Sequence, residues 1–183
     1  MFGRVPMLPV VVPMAVVLFV LLLWVLHRRG RLTPAWGAVA AAAAVYVGGV
    51  VANTVFPIFL AWPRSDGPDP LPLNLVPVVG YEVGDAVTNA LVFVPLGILV
   101  SLMLARSTWA RTIAVTAGIS AAVEVTQFLT ARFAHGGHIA DVNDLASNVL
   151  GGAVGSAVYA LAMQRPALAR VVERFRWHRE VTA

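Results

Sequence analysis

Five long apolar runs constrain this chain more than any other feature of its sequence. Each has roughly 20 residues or more, enough for a helix to cross the hydrocarbon core of a bilayer. A soluble domain of 183 residues could not bury them, because 59% of its residues are hydrophobic and only 12% are charged. We therefore predict an all-α fold, a polytopic transmembrane helical bundle of about five spans. The expected spans are Met7–Leu26, Ala35–Ala61, Ala86–Ala105, Ala110–Thr130 and Leu145–Met163.

The basic residues, all of them arginine, orient these spans. Cytoplasmic loops of membrane proteins collect positive charge. Ten of the 13 arginines follow the first, third or fifth span, whereas Arg4, Arg64 and Arg132 fall on the opposite side. We expect the N-terminus outside and the C-terminus in the cytoplasm. The ten are Arg28, Arg29, Arg31, Arg106, Arg111, Arg165, Arg170, Arg174, Arg176 and Arg179.

The C-terminal tail, Arg165 to Ala183, combines positive charge with a helical apolar face. Spacing of i, i+3, i+4, i+7 predicts a basic amphipathic helix on the anionic inner leaflet. Its arginines also satisfy the orientation rule, so we expect membrane lipids as partners and no nucleic acid. The apolar face consists of Leu168, Val171, Val172 and Phe175.

Glycine and proline interrupt regular structure in two places. The second span contains Gly48-Gly49 and Pro57, each of which could break it. The loop that follows is rich in proline, and its second half, Leu71 to Val79, is apolar. That half is either a re-entrant cap on the bundle or a solvated loop.

Polar residues inside the last three spans recur at helical spacing. Lipid cannot satisfy them, so each polar face must look inward, and together they predict one pocket that opens outward. Gly151-x-x-x-Gly155 also predicts a close-packing face. The polar faces are Asp85 and Asn89 on span three, Thr116, Ser120, Glu124 and Gln127 on span four, and Asp144, Asn148 and Gly152 on span five.

Glu124 is the strongest functional candidate. It lies six residues before the predicted outer end of span four, roughly 9 Å deep. A carboxylate there costs roughly 2–3 kcal/mol unless it is paired, hydrated or protonated, and such residues usually serve function. Asp144 is the second candidate, and the two could form an acid/base pair. Ser120 and Thr116 more commonly bond to their own helix.

No metal or other cofactor is firmly predicted. The absence of cysteine excludes disulfides, thiolate metal sites and a cysteine nucleophile. His138 and Asp141, at i, i+3 spacing in an oxygen-rich neighbourhood, are weak candidates for divalent-metal ligands. Histidine in a glycine-rich loop is more commonly just solvated.

Polar, proline and glycine residues also recur at fixed spacings between Leu73 and Tyr159. The motifs are Asn74-Leu75-Val76-Pro77, Asn89-x-x-x-Phe93-x-Pro95-x-Gly97, Glu124-x-x-Gln127 and Asp141-x-x-Asp144-x-x-x-Asn148-x-x-Gly151-x-x-x-Gly155. In this order they resemble the VanZ-like family of bacterial membrane proteins. The chain departs from the family at His138, where an arginine is usual, and at Asn143, where a third acid is common. Spans one and two and the tail lie outside the resemblance.

The resemblance implies a multi-pass protein of the bacterial plasma membrane, linked to resistance against teicoplanin-type glycopeptides. We expect residues 1–62 to form two N-terminal spans, 63–163 the VanZ-like domain and 164–183 a cytoplasmic tail. The pocket would bind or modify a cell-envelope lipid or a glycopeptide-type molecule. An enzyme, a non-catalytic binding protein and a proton- or ion-coupled transporter all remain open. The expected binding residues are Asn74, Asn89, Gln127, Asp141 and Asn148.

The charge distribution makes a topology prediction. A reporter fused after Ala183 should be cytoplasmic and one inserted at Gly67 external, because the arginine-rich side stays inside. Enzymatic and fluorescent reporter fusions in intact cells measure this. Both reporters on the same side would contradict the shared pocket, since Asp85 and Glu124 would no longer lie at similar depth.

Overall fold

The computed structural model describes residues 3–60, 71–78, 80–104 and 107–177. Within these ranges it has six α-helices and two short strands. Five of the helices are long and apolar enough to cross a membrane, which confirms the predicted five-span bundle. In chain order the elements are α1 (Leu8–Arg28), α2 (Pro34–Val55), β1 (Leu73–Asn74), α3 (Val83–Met103), α4 (Trp109–Ala134), β2 (Ala140–Asp141), α5 (Val142–Gln164) and α6 (Pro166–Val172).

Helix α2 ends earlier than predicted. It stops at Val55 instead of continuing to Ala61, because a proline at position 57 disfavours helical backbone in the residue before it. The Gly48-Gly49 pair, in contrast, does not break the helix. Gly48 packs against α1, where an added Cβ would lie 3.2 Å from the Cβ of Ala15.

The connections define two ends of the bundle, here named the loop end and the tail end. At the loop end α2 and α4 finish, α3 and α5 begin, and a backbone bridge joins Ile58 to Gly136. At the tail end the backbone N–H of Trp177 donates to the carbonyl of Leu102 at 3.1 Å. The arginine distribution predicts that the loop end is external.

Helices α3 and α5 pack with their backbones in direct contact. A Cβ on Gly151 would overlap the carbonyl of Ala90, and a Cβ on Gly155 would overlap that of Val94. A Cβ on Gly152 would instead collide with a threonine of α4. Small residues therefore let α5 approach two neighbours at once, which confirms the predicted close-packing face.

The interior of the bundle holds many polar side chains, whereas its surface is largely apolar. Helix α1 buries only Val11 and Leu26, and most of its side chains are exposed. This inversion is expected where lipid is the solvent, because apolar side chains gain nothing by leaving it and polar groups must find partners inside. Helix α4 buries Thr112, Thr116, Ser120, Glu124 and Gln127.

The apolar loop segment 71–78 folds onto the loop end. β1 pairs in parallel with β2, which the sequence does not predict. Asn143 holds the residues after β1: its Oδ1 accepts the N–H of Val78 at 2.8 Å and its Nδ2 donates to the carbonyl of Val76 at 3.3 Å. The segment therefore covers the bundle, but side chains such as Leu75 remain exposed. The predicted loop residues 61–70 and 79 lie outside the described ranges.

The tail differs from the predicted amphipathic helix. Helix α6 has only seven residues, and the chain then turns so that Trp177 packs against Leu26 and Trp36. Burying a large indole ring is more favourable than leaving it at the surface. The described part of the tail thus closes the tail end of the bundle, with Leu168 and Val171 exposed. Residues 178–183 are outside the described ranges.

Replacing Gly151 by alanine should lower the free energy of unfolding by about 1–3 kcal/mol, because the new Cβ overlaps the carbonyl of Ala90. Gly118→Ala on α4 is the matched control, since a Cβ there meets no atom within 4 Å. Alanine should stabilise that helix by roughly 0.5–1 kcal/mol. Thermal unfolding in lipid nanodiscs measures both. Equal stability of the two variants would contradict the glycine interface.

Candidate functional site

A cavity enters the loop end between α2 and the helices α3, α4 and α5. Its deep part, the chamber, has a volume of about 490 Å³, and its shallow part, the mouth, about 300 Å³. The two parts adjoin, since they share Asn53, Thr88, Asn89, Gln127 and Asp144. The chamber also contacts Tyr46, Val50, Val92, Phe93, Val123, Glu124 and Asn148, and the mouth contacts Tyr81, Asp85, His138 and Asp141.

Glu124 lies at the chamber wall with one carboxylate oxygen bound and the other open. Its Oε2 accepts the backbone N–H of Asp141 at 2.8 Å. Its Oε1 is buried and has no hydrogen-bond partner among the described residues. The side chain is therefore anchored through one oxygen, while the other has no partner among the described residues.

The chain folds back into the bundle to reach Glu124. Helix α4 continues to Ala134, ten residues beyond Glu124, and does not end at Thr130 as predicted. This length corresponds to about 15 Å of helix. Residues 135–141 return along it and bring the N–H of Asp141 to the carboxylate. Glu124 is thus farther from the helix end than predicted.

Asp144 is surrounded by donors from two elements. The hydroxyl of Tyr81 donates to Oδ1 at 2.7 Å, and Nδ2 of Asn89 donates to the same oxygen. The Oγ of Ser147 lies 3.3 Å from the Tyr81 oxygen. The predicted polar faces of α3 and α5 therefore meet at this carboxylate, which accepts from side chains where Glu124 accepts from a backbone amide.

Three more unpaired oxygens belong to residues that line the chamber. Asn148 donates through Nδ2 to Oγ of Ser120 at 3.1 Å, but its Oδ1 has no partner. Among the described residues, Oε1 of Gln127 and the hydroxyl of Tyr46 are also buried without one. All four side chains line the chamber. Buried polar groups are normally paired, so this concentration marks the chamber as a candidate binding site.

Asn74 and Asp141, two of the predicted binding residues, hold the loop together. Nδ2 of Asn74 donates to Oδ2 of Asp141 at 2.9 Å. The other oxygen of Asp141 accepts hydrogen bonds from the backbone N–H and the Nδ2 of Asn143. Asp141 thereby caps the start of α5. Asp141 borders the mouth, and Asn74 borders neither part of the described cavity. A binding role for either residue stays a prediction.

His138 is oriented by the backbone. Its Nε2 lies 2.9 Å from the carbonyl oxygen of Phe56, just beyond α2. Within the described ranges no three histidine, aspartate or glutamate side chains converge as metal ligands would. The weak metal site formed by His138 and Asp141 stays a prediction.

A comparison with protein-family models decides the family. The model of the VanZ/LLP1 family matches residues 43–163, about two thirds of the chain. The chain belongs to the VanZ/LLP1 family. Neither the comparison with curated proteins nor the comparison with solved structures gives a match. The matched range begins inside α2, whereas the motif resemblance begins at Leu73, so the VanZ/LLP1 region includes most of the second span.

The cavity residues in this VanZ/LLP1 region that the sequence predictions miss include Tyr46, Asn53 and Tyr81. The first two share one face of α2 with Val50, and that i, i+4, i+7 spacing is a signal that could have found them. Tyr81 precedes α3 in non-helical backbone. It has no periodic neighbours, so only the structure connects it to Asp144.

The environment of Tyr81 keeps its hydroxyl protonated. Burial raises the pKa of Tyr81 above its ordinary value, and the charge of Asp144 acts in the same direction. A protonated phenol is a hydrogen-bond donor, which is the role the geometry gives it at Oδ1 of Asp144.

Tyr81→Phe should lower the free energy of unfolding by about 1 kcal/mol at pH 7, because Asp144 loses a donor. The substitution should also change how the free energy of unfolding falls at alkaline pH. A raised pKa in the folded state means that stability is constant below about pH 10 and falls as pH rises through the folded pKa. The variant should lack this contribution to the fall.

Unfolding measured from pH 7 to pH 11 in nanodiscs tests both effects. Thr126→Val is the control, since it removes a hydroxyl that donates to a carbonyl of its own helix and does not titrate between pH 7 and pH 11. The assignment is wrong if the two variants have the same stability and the same alkaline slope.

Proposed function

We propose that this protein binds an amphipathic molecule of the cell envelope in its chamber. The candidates are an envelope lipid and a glycopeptide-type antibiotic that carries an acyl chain. The ligand would enter from the loop end, which the arginine distribution predicts to be outside the bacterial plasma membrane.

One observation carries this proposal: the cavity changes from polar to apolar with depth. Towards the loop end its walls are carboxylates and amides, among them Asn89, Glu124 and Asp144. Farther along α3 the wall consists of apolar side chains such as Val92 and Phe93. Ligand sites typically combine an apolar lining with a few placed polar groups. A ligand with a polar head group and an apolar acyl chain would match this gradient.

Chemistry on the bound molecule is a second candidate function. It is favoured by the unequal environments of the two carboxylates. Oε2 of Glu124 is held by a backbone amide, whereas Oδ1 of Asp144 is held by the side chains of Tyr81 and Asn89. Two acids in different environments are what general acid and base roles require.

Ion- or proton-coupled transport has less support. On the tail side of Ser120, α4 buries Thr112 and Thr116, and the hydroxyl of Thr116 donates to backbone carbonyls of its own helix. Such hydroxyls stabilise the helix locally. They do not supply the ionisable groups of a proton relay towards the tail end.

Glu124→Gln and Asp144→Asn should each abolish function while leaving the melting temperature near that of the wild type. The amide keeps the shape, and its oxygen can still accept the N–H of Asp141 in place of Oε2 of Glu124. Interhelical polar contacts in membranes contribute only about 0.6 kcal/mol on average, so the fold should survive. The measurements are teicoplanin susceptibility of a sensitive bacterium expressing each variant, and thermal unfolding of the purified protein.

Glu82→Gln is the matched control, because Glu82 is exposed at the loop end and does not line the cavity. It should behave as the wild type in both assays. Full protection by Glu124→Gln would rule out a role for its charge. Loss of either cavity variant from the membrane would show that the carboxylates serve packing.

A further inference from the structure

The chamber has hydrogen-bond acceptors to spare. Oε1 of Glu124, Oε1 of Gln127 and Oδ1 of Asn148 are buried without a partner among the described residues. An amide oxygen can only accept, and a carboxylate only accepts when it is ionised. The fourth unpaired atom, the hydroxyl of Tyr46, can accept or donate.

Three donors on the same walls are already engaged within the protein. Nδ2 of Asn89 and the hydroxyl of Tyr81 both donate to Asp144. The hydroxyl of Thr88 donates to a backbone carbonyl one turn earlier. The protein thus pairs these donors internally and leaves acceptors for whatever occupies the chamber.

The orientation of the Asn148 amide follows from its neighbour. Oγ of Ser120 lies 3.5 Å from the carbonyl of Leu145, to which its hydroxyl donates. The same oxygen then accepts from Nδ2 of Asn148 at 3.1 Å. This arrangement places the amide nitrogen against Ser120 and leaves the amide oxygen unpaired.

The charges of the cavity also disfavour an anionic ligand. Glu124 and Asp144 line the chamber, and Asp85 and Asp141 border the mouth. No arginine is among the described residues of either part, and Nε2 of the one basic side chain there, His138, lies against a backbone carbonyl. A phosphate in the chamber would meet carboxylates without a compensating cation.

We infer that the group held in the chamber is a hydrogen-bond donor without negative charge: the hydroxyls of a sugar or polyol, or a primary ammonium. Glu124, Gln127 and Asn148 would accept its hydrogens. This inference rests on the proposed function and specifies the class of head group that the site takes.

The substitution Glu124→Gln tests this inference at a single atom of the chamber wall. The amide oxygen would keep the bond to the N–H of Asp141, so the NH₂ group would take the position of Oε1. A donor would then replace an acceptor at the chamber wall. The variant should lose affinity for donor head groups and gain affinity for a phosphate.

The experiment uses the full chain in phosphatidylcholine nanodiscs and three probes with the same alkyl chain. These are dodecyl maltoside, dodecylamine and dodecyl phosphate, each titrated at low mole fraction while the melting temperature is followed. Gly49→Phe reports binding in the chamber, because Gly49 lines it and an added Cβ there meets no atom within 4 Å. Glu82→Gln is the matched control for Glu124→Gln.

The wild type and Glu82→Gln should bind the maltoside or the amine at least about tenfold more tightly than the phosphate. Gly49→Phe should abolish that binding, and Glu124→Gln should weaken it and strengthen phosphate binding. Phosphate binding that is equal or tighter, and that Gly49→Phe abolishes, would overturn the inference while supporting the proposed function. If Gly49→Phe changes the binding of none of the probes, the proposed function fails as well.

Discussion

The contact between the backbones of α3 and α5 is the constraint on which the rest of the fold depends. Gly151 and Gly155 leave no room for a side chain at the carbonyls of Ala90 and Val94. This approach holds the loop-end turns of the two helices side by side. Asn89 can therefore reach Asp144 directly, and the carboxylate forms part of a cavity wall. In lipid, where apolar burial drives helices together only weakly, close packing of this kind takes over that role.

The same environment explains why the polar residues lie inside. Thr116 satisfies its hydroxyl within α4, but Ser120 reaches across to α5, where it binds Asn148. Glu124, one turn closer to the loop end, is anchored by a backbone amide. Along this face, Thr116 bonds within its own helix, Ser120 joins two helices and Glu124 lines the cavity. A single stripe in the sequence thus gives three different structural roles.

Much of the fold follows from periodicity, and the parts that do not follow are not periodic. The five spans and the inward faces repeat at helical spacing, so the sequence predicts them, including a shared pocket for Asn89 and Asp144. The early end of α2, the strand pair and the position of Tyr81 depend on how irregular segments fold onto the bundle. Asn74 shows the same limit: its amide meets Asp141 only because β1 and β2 pair in register. Sequence spacing cannot encode a partner 67 residues away.

The anchoring of Glu124 has a mechanical consequence. Its Oε2 is bound by the amide of Asp141, a residue of β2, and β2 is paired with the loop strand β1. A ligand that shifts Glu124 must therefore strain or reposition the pair of strands, and a change in the loop must alter the carboxylate. Such coupling is reciprocal by thermodynamic necessity. Under the proposed function, exposed loop residues such as Leu75 would tune what the cavity binds without touching it, and this surface segment would share in selectivity.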